Sequence, residues 1–230
     1  MISVIIPTFN EKKNITKIAK KLSKVKVISE VIFVDDNSTD GTFEQIIKIK
    51  NKNKFKGLSR ISNERDLCKS VLLGVKKSKK NVVLVMDCDL QHETDYIKQM
   101  NDELTLSKND MIVASRFIKI NFVGNLGVLR SLASNLAIYS INIIFGKKTS
   151  DPLSGFFICK KKFIINYEKF FFKKGYKILF DIIYNGSEKI RVDDFPIVFK
   201  KRQHEKSKFS FRVIWLFMLQ MLHTKFLVKK

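Results

Sequence analysis

The chain is organised around the stretch NVVLVMDCDLQH, residues 81–92. Residues 82–86 form a continuous apolar run of strand length, which ends abruptly on Asp87-Cys88-Asp89. Open α/β sheets bind ligands at the carboxyl ends of their strands. Two carboxylates at such a point are hard oxygen ligands, which suit Mg²⁺ or Mn²⁺ shared with phosphate oxygens. The same pair is also typical of a strand that merely turns into solvent. Other motifs in the chain are needed to distinguish a ligand site from such a strand end.

The regions around this stretch alternate between strand and helix patterns. Apolar runs occupy residues 2–6, 30–34, 82–86 and 111–114, and helical patterns occupy residues 11–23, 42–50, 66–77 and 94–104. Pro7 is expected to end the first strand, Asn10 to cap the first helix, and residues 51–57 to form a loop with a weak strand nearby. This alternation predicts a mainly parallel, doubly wound α/β sheet flanked by helices.

Polar residues follow several of the predicted strand ends. The acidic turn DDNSTDGT (35–42), the pair Asp87 and Asp89, and Ser115-Arg116 each come directly after a strand. Because the carboxyl ends of parallel strands meet at one edge, we expect these groups to converge there. An Asx-type turn with helix caps is expected at residues 36–40 in either case. The convergence favours a binding site over a strand that merely turns into solvent.

The composition is that of a folded protein in a reducing compartment. Hydrophobic residues make up 45% of the 230 positions, which allows one large domain, or a core domain with a short appendage. The three cysteines, Cys68, Cys88 and Cys159, form no CxxC pair, which argues against a disulfide framework or a zinc site. The first residues lack a basic region and run straight into a strand, so we expect no signal peptide.

The chain is strongly basic, with a formal net charge of +22. Nucleic acid, an anionic membrane surface or phosphate-bearing substrates could each explain this charge. The lysines are spread over all segments without regularly interleaved aromatics, which disfavours nucleic acid. Only seven of the 44 basic residues are arginine, so positions that use Arg are candidates for bidentate phosphate contacts.

Two segments of the second half are unusually apolar. Residues 131–146 carry no charge, and residues 213–222, VIWLFMLQML, are almost continuously apolar. Neither reaches the roughly 20 residues that a membrane span needs. Basic flanks beside an aromatic face favour helices that lie in a membrane interface, although helices packed on the sheet would show a similar pattern.

Three ordered motifs, PTFNE (7–11), DDNSTDGT (35–42) and DCDLQH (87–92), resemble the nucleotide-sugar half of family 2 inverting glycosyltransferases with the GT-A fold. Further motifs narrow the resemblance to dolichyl-phosphate or polyprenyl-phosphate mannosyl- and glucosyltransferases. They are SRF (115–117), Arg130 with Ser134-Asn135, DPLSGFF (151–157), GYKIL (175–179), and Arg202 with Ser207-Lys208. The similarity runs in order from about residue 2 to residue 212. It implies a Rossmann-like GT-A domain with C-terminal amphipathic interface helices.

The resemblance also implies a donor site and a metal site. A nucleotide diphosphosugar, with GDP-mannose favoured over UDP-glucose, would be bound by Pro7, Thr8, Glu11, Asp35, Asp36, Asp87, Arg202 and Lys208. Mg²⁺ or Mn²⁺ would be held by Asp87, Asp89 and Gln91 and would neutralise the departing diphosphate. The residues expected to carry catalysis are Asp89, Arg116, Arg130 and Arg202.

The acceptor that the resemblance implies is a polyprenyl or dolichyl phosphate. Arg116, Arg130 and Ser134 would grip its phosphate, which is already ionised at pH 7 and needs no strong general base. Ser207, together with the donor residues Arg202 and Lys208, would belong to a basic loop that closes over the diphosphate. Attack on the face opposite the leaving group would invert the anomeric centre.

The family resemblance gives an expected organisation and location. Residues 1–212 would form the GT-A domain, with a nucleotide-sugar and metal half (1–115) and an acceptor half (116–212), and residues 213–230 an amphipathic membrane-interface segment. The protein would be peripheral, on the cytoplasmic side of the endoplasmic reticulum in a eukaryote or of the plasma membrane in a prokaryote. Interface helices or a small membrane anchor subunit would hold it there.

Three other interpretations compete with this one. A family 2 transferase with a soluble glycan or protein acceptor would use residues 131–146 and 213–222 as ordinary core. A nucleic-acid-binding protein would show its basic residues on one face. An inactive GT-A scaffold is also considered, because Asp66 and Glu205 stand where the family often has glycine.

Overall fold

The computed structural model describes residues 1–62, 64–116, 128–198 and 211–227, with side chains at 1–62, 64–116, 134–198 and 213–226. These ranges contain one seven-stranded sheet. Its strands are β1 (Ile2–Thr8), β2 (Ile28–Asp35), β3 (Phe55–Ser59), β4 (Val82–Val85), β5 (Met111–Ser115), β6 (Phe157–Lys160) and β7 (Val192–Pro196). The weak strand expected near residues 51–57 is therefore a full edge strand.

Helices connect the strands as the alternation predicted. They are α1 (Lys12–Ser23), α2 (Thr42–Ile47), α3 (Leu67–Lys77), α4 (Asp95–Leu106), α5 (Val128–Phe145), α6 (Lys162–Ile165), α7 (Ile178–Phe180) and α8 (Phe211–Leu222). Two of them continue as π-helical turns, α7 through Asp181–Asn185 and α8 through His223–Leu227. The helix α2 is shorter than expected, because it ends at Ile47 rather than at residue 50.

The strand order is β3-β2-β1-β4-β6-β5-β7. All neighbouring pairs are parallel except the two that involve β6, which runs antiparallel to both β4 and β5. The prediction of a mainly parallel sheet is confirmed. Because β6 runs against its neighbours, its first residue lies at the same edge as the carboxyl ends of the other six strands.

The prediction that Pro7 ends the first strand is wrong, because β1 continues to Thr8. Pro7 and Thr8 remain paired in register with Val34 and Asp35 of β2. On the other side, the pairing of β1 with β4 stops at Ile5. The Ile5 carbonyl accepts from the N–H of Met86, directly after β4, while the Thr8 carbonyl accepts from the N–H of Asp36, directly after β2. The alternation of a strand therefore turns the missing N–H of Pro7 toward β4, where no ladder bond is lost.

The prediction that Asn10 caps the first helix is also wrong. Asn10 has a positive φ of 53°, and its side-chain oxygen accepts from the N–H of Thr39, 3.0 Å away. The N–H of Lys12, the first residue of α1, instead donates to the carboxylate of Asp40 at 3.2 Å. An acidic residue from the β2–α2 loop therefore takes the capping role, and it ties that loop to the start of α1.

Helices cover both faces of the sheet, as a doubly wound fold requires. One apolar cluster joins α1, α2 and α4 to one face, through residues such as Ile18, Ile46 and Met100. The second cluster joins α3, α5, α6, α7 and α8 to the other face. Among its members, Phe180 packs edge-on against Phe217 of α8, with ring centroids 5.6 Å apart. Both α5 and α8 are therefore docked on the core.

The outer faces of α5 and α8 nevertheless carry large exposed apolar side chains. They are Leu136, Tyr139, Ile143 and Ile144 on α5, and Ile214, Trp215, Met218 and Leu222 on α8, followed by Phe226. Among the helices of the described residues, none is both long and apolar enough to cross a membrane. The two apolar segments found in the sequence thus each have a docked side and an exposed side.

Candidate active site

The candidate site lies at the edge formed by the carboxyl ends of the parallel strands. Thr8 ends β1 opposite Asp35, which ends β2. The Asp87–Asp89 pair follows β4, and Ser115-Arg116 ends β5. Residues 151–156 reach the same edge because they lead into the antiparallel strand β6. The fold thus brings together the groups that the sequence predicted would converge.

On the β1–β2 side, the carboxylate of Asp35 organises a tight polar turn. It accepts from the backbone N–H of Ser38 at 3.0 Å and from the Ser38 hydroxyl at 2.5 Å. The hydroxyl of Thr8 lies 3.4 Å from Asp35 Oδ1, and both residues are almost fully buried. These bonds fix two of the predicted donor-site residues at the strand ends. The Asx-type turn expected at residues 36–40 is made by Asp40, whose Oδ1 accepts from the N–H of Thr42 at 3.0 Å.

Asp36 takes part in a different set of contacts. Its carboxylate pairs with the guanidinium of Arg60 and accepts from the backbone N–H of Asp66 at 2.6 Å. Burial raises the pKa of Asp36, and these contacts only partly offset that effect. Asp36 lies at the candidate site, directly after β2, and it also supports the loop between β3 and α3.

The remaining predicted donor residues of this side are close by. Pro7 is half-buried within β1, and Glu11 is buried at the start of α1. Glu11 accepts from the side-chain amide of Asn14 at 2.7 Å, and its own N–H donates to the hydroxyl of Thr42 at 2.8 Å. Glu11 thus has a structural role whether or not it contacts a ligand.

Asp87 and Asp89 form the centre of the edge. A Cβ atom placed on Gly155 would lie 2.6 Å from Asp87 Oδ2, so the Asp87 carboxylate fits against this glycine only because it has no side chain. Asp89 is 7% exposed and accepts from the backbone N–H of Gln91 at 3.1 Å. The conformation of the 87–91 turn is therefore fixed both by an internal hydrogen bond and by the loop before β6.

Arg116 makes a bidentate ion pair with Asp151. Its Nε lies 2.7 Å from Asp151 Oδ2, and its Nη2 lies 2.9 Å from Oδ1. Asp151 is fully buried. Burial alone would lower the pKa of Arg116, but Asp151, and to a lesser degree Asp87, outweigh this and raise it. The permanent positive charge of Arg116 therefore lies near the central carboxylates, with part of its donor fork occupied by Asp151.

Sequence reasoning did not find Asp151 or Gly155 as parts of the site, although both belong to the quoted motif DPLSGFF. Phe156 of the same motif stacks on His92, with ring centroids 4.7 Å apart and an angle of 18°. The motif itself was the available signal. It could not reveal the contacts, because these depend on β6 lying between β4 and β5.

Other predicted site residues are only partly covered by the structure. Ser134 is half-buried on α5, and Arg130 belongs to the same helix, at a position whose side chain is not described. Arg202, Ser207 and Lys208 lie outside the described residues. Their contact with an acceptor phosphate or a diphosphate stays a prediction.

The donor set at the centre suits a hard divalent cation. Asp87 and Asp89 carry carboxylates one residue apart, and Gln91 carries an amide two residues further on; their role as metal ligands stays a prediction. Among the residues with described side chains, no group of three His, Cys, Asp or Glu residues could hold a metal alone. A cation that takes two carboxylates from the protein and shares its other positions with phosphates fits this arrangement.

Comparison with known proteins defines the class to which this fold and site belong. The family model described as "Glycosyl transferase family 2" matches residues 3–180. The chain therefore belongs to glycosyl transferase family 2.

Its curated relatives include two dolichol-phosphate mannosyltransferases. The one from Pyrococcus furiosus is 31% identical over 218 residues, covering 93% of this chain and 60% of that protein. The one from Saccharomyces cerevisiae is 26% identical over 230 residues, covering 95% of this chain and 85% of that protein. The chain thus spans less than two thirds of the length of the Pyrococcus relative.

Solved structures support the fold. Glucosyl-3-phosphoglycerate synthase from Mycobacterium tuberculosis, in complex with Mn²⁺, UDP-glucose and phosphoglyceric acid, superposes with a TM-score of 0.72 and 16% identity. The match covers 97% of this chain and 78% of that one. Together with the family match, it confirms the GT-A architecture that the sequence motifs implied.

Proposed function

We propose that this protein is an inverting glycosyltransferase that moves a hexose from a nucleotide diphosphosugar to a polyprenyl or dolichyl phosphate. Mannose from GDP-mannose is the favoured donor sugar, because two curated relatives are named dolichol-phosphate mannosyltransferase. The observation that carries the proposal is the convergence of Asp35, Asp87, Asp89 and Arg116 at one sheet edge, in a chain of glycosyl transferase family 2.

The reaction requires little covalent chemistry from the protein. An ionised oxygen of the lipid phosphate attacks the anomeric carbon, the bond from that carbon to the donor diphosphate breaks, and the diphosphate leaves with its bonding electrons. Because the nucleophile is already ionised, orientation and charge stabilisation supply most of the rate. Arg116, whose charge is held near Asp87 by Asp151, is suited to orient phosphate oxygens, with Arg130 and Ser134 of α5 as its predicted partners.

The donor would lie along the ends of β1, β2 and β4. Thr8 and Asp35 are fixed at the ends of adjacent strands, which suits contacts to the base and ribose, and Asp36 supports the next loop. Asp87, Asp89 and Gln91 would hold Mg²⁺ or Mn²⁺, which supplies charge neutralisation to the leaving diphosphate when it is bound. Arg202 and Lys208 are predicted to close over the same group.

Membrane contact is part of the proposal because the acceptor is a lipid. The outer faces of α5 and α8 expose Leu136, Tyr139, Ile143, Trp215 and Met218, each at least 52% exposed. A soluble acceptor would give no reason for two such faces on one molecule. We therefore propose that the protein is peripheral on a membrane; the cytoplasmic side and a small anchor subunit are expectations from the family resemblance.

The proposal is tested by a transfer assay with purified full-length protein. The assay contains Mg²⁺ or Mn²⁺, vesicles with a short polyprenyl phosphate, and separately labelled GDP-mannose, UDP-glucose or UDP-N-acetylglucosamine. We expect label from GDP-mannose to enter the lipid fraction, and Asp89→Ala to lower that rate by about 100-fold or more. Met218→Asp should lower transfer only when the acceptor is in vesicles, because it changes the exposed face of α8 and leaves the sheet edge untouched.

The other outcomes separate the competing interpretations. Transfer from UDP-glucose instead would keep the reaction and change the sugar. Donor binding without lipid labelling, also after the addition of membrane extract as a source of an anchor subunit, would point to a soluble acceptor. If no donor binds at all, the chain is an inactive scaffold and the proposal is wrong.

A further inference from the structure

Asp66 is the residue that precedes α3, and its buried carboxylate has two separate partners. The residue is 4% exposed and precedes α3. Its Oδ1 accepts from the backbone N–H of Lys69 at 3.0 Å, which caps the helix. Its Oδ2 accepts from the backbone N–H of Gly175 at 3.2 Å, across 109 positions of sequence. One carboxylate thus serves both a local and a distant partner.

The backbone N–H of Asp66 connects the residue to the candidate donor site. It donates to Oδ2 of Asp36, at 2.6 Å, directly after the end of β2. Asp66 therefore lies between Asp36, on the donor side, and Gly175, which contacts the first turn of α3. A glycine at position 66 would keep the first contact, which is made by the backbone, and would lose the second.

The segment that Asp66 holds, residues 172–177, is also the support of α8. Gly175 has a φ of 89°, and its backbone carbonyl accepts from the N–H of Cys68 at 3.2 Å. A Cβ atom built on Gly175 would lie 3.5 Å from Leu216 of α8. Two residues later, the carbonyl of Lys177 accepts from the side-chain amide of Gln220 at 3.1 Å. Gln220 is 1% exposed and is the buried polar contact of this helix with the core.

A buried carboxylate reinforces the same segment. Asp181 accepts from the backbone N–H of Phe172 at 3.2 Å and from the amide of Asn185 at 2.7 Å. Residues 172–177 are therefore fastened to Asp66 on one side, and to α8 and Asp181 on the other.

We propose that Asp66 is a positioning residue that links the donor-binding edge to α8, so that a nucleoside diphosphate bound beside Asp35 and Asp36 changes the surroundings of α8. This inference rests on the proposed function, because it takes the β1–β2 edge as the donor site. Hydrogen bonds join Asp36 to Asp66 and Asp66 to Gly175, and two residues further on the carbonyl of Lys177 joins the same segment to Gln220 of α8. Coupling of this kind is reciprocal, so engagement of α8 by a lipid surface also changes nucleotide affinity.

The energetics of Asp66 support a role beyond helix capping. Burial raises its pKa, so the ionised form is held at a cost that the hydrogen bonds from Lys69 and Gly175 only partly offset. A serine would cap α3 about as well without that cost. The second oxygen, on Gly175, is the contact that a simple cap does not explain.

The chain carries its own reporter for the test. Trp215 is the single tryptophan, and it lies on the outer face of α8 with 52% of its surface exposed. Acrylamide quenching of its fluorescence measures how accessible that face is. Calorimetric titration of GDP and of UDP, with Mn²⁺ present, measures nucleotide binding independently on the same full-length protein.

In the wild type, we expect saturating nucleotide to change the quenching constant of Trp215. The decisive variant is Asp66→Ser, which keeps a helix cap and removes the oxygen on Gly175. It should lose the nucleotide-dependent change of quenching and bind nucleotide about fivefold more weakly, the lower end of typical coupling. Asp102→Ser removes an exposed carboxylate of α4 and serves as the matched control, with both properties unchanged.

Each outcome bears on a different claim. If nucleotide binds to the wild type without any change at Trp215, or if Asp66→Ser keeps that change, the link through Asp66 is refuted while the proposed function stands. If calorimetry finds no nucleotide binding to the wild type, both the proposed function and the link are wrong. Thermal unfolding of Asp66→Ser near the wild-type temperature distinguishes the loss of a positioning contact from general destabilisation.

Discussion

The two ends of the same sheet treat their acidic residues in opposite ways. At the amino ends of the strands, Glu30 and Asp110 are surrounded by cationic side chains, and the pKa of each is lowered. At the carboxyl ends, the burial of Asp36 and Asp66 outweighs the nearby cationic side chains, and the pKa of each is raised. One end is arranged for stability, and the other keeps negative charge at a cost.

The amino end shows how complete the compensation is. Burial opposes the charge of Asp110, but Arg191 and Lys160 outweigh it and lower its pKa to about 2. For Glu30, the opposing effect of burial is overcome by Lys56 at 2.5 Å and by the hydroxyl of Ser3 at 2.7 Å. These pairs join neighbouring strands at the amino edge of the sheet, where Lys160 is the last residue of the antiparallel strand β6.

The carboxyl end is different because several acidic residues stand at its strand ends. Asp35 ends β2, Asp36 follows it, and Asp87 and Asp89 follow β4, while Arg116 is already paired with Asp151. Negative charge gathered in this way favours a cation that arrives with the ligand. The energetic cost of burying negative charge is therefore concentrated at the end of the sheet where the proposed reaction takes place.

The largest expected effect comes from cutting the buried pair at the carboxyl end. Asp151→Ala leaves Arg116, whose side chain is 11% exposed, without its bidentate partner. Because an unpaired buried charge is strongly unfavourable, we expect the free energy of unfolding to fall by about 3–5 kcal/mol in denaturant titration. Asp102→Ala, at an exposed pair on α4, is the control and should change stability far less. Equal losses of unfolding free energy in the two variants would mean that the buried pair at the carboxyl end contributes no more than an exposed pair.

The next effect separates catalysis from packing. In Gly155→Ala, the new Cβ would lie 2.6 Å from Asp87 Oδ2, so this carboxylate must shift. A shift of that kind should lower kcat about 10- to 100-fold while the protein stays folded. Gly74→Ala places a Cβ 2.5 Å from Ile5 in the core and should instead cost about 1–3 kcal/mol of stability, with the kcat of the folded protein unchanged. A normal kcat in Gly155→Ala would show that the position of Asp87 is not critical.

The smallest effect that we expect is on the pH dependence of stability at the amino end of the sheet. The pKa of Asp110 is about 2 in the folded protein against an ordinary value of 3.8, so its stabilisation is present above about pH 4 and is lost as the pH falls toward 2. Asp110→Asn should cost about 1–2 kcal/mol at pH 7, a figure reduced for solvent screening because Arg191 is half-exposed. The difference should vanish near pH 2 in unfolding curves. A difference that is constant with pH would mean that the charge of Asp110 does not stabilise the fold.

Most of the sheet could be predicted because each strand and helix of a parallel α/β fold has a recognisable pattern in its own sequence. Apolar runs, helical periods and the acidic residues after them were enough to place Asp35, Asp87, Asp89 and Arg116 on one edge. The physical reason is that all parallel strands present their carboxyl ends together, whatever their order in the sheet.

Predictions from local sequence failed where residues distant in the chain determine the contacts. The missing N–H of Pro7 costs nothing because β4 no longer pairs there, and Asp40 from another loop caps α1 in place of Asn10. The pair of Arg116 with Asp151 could not be predicted either, because it depends on the insertion of β6. The roles of Arg130, Arg202, Ser207 and Lys208 are still predictions from the family motifs.

The antiparallel strand β6 also limits how this protein can be divided. It pairs with β4 from the donor half and with β5, so it joins the expected halves 1–115 and 116–212 in the middle of one sheet. A fragment that stops at residue 115 would leave β4 and β5 without the strand between them, with open edges that favour aggregation. Chimaeras that exchange acceptor specificity between relatives should therefore keep β6 with its host sheet and exchange the loops at its ends.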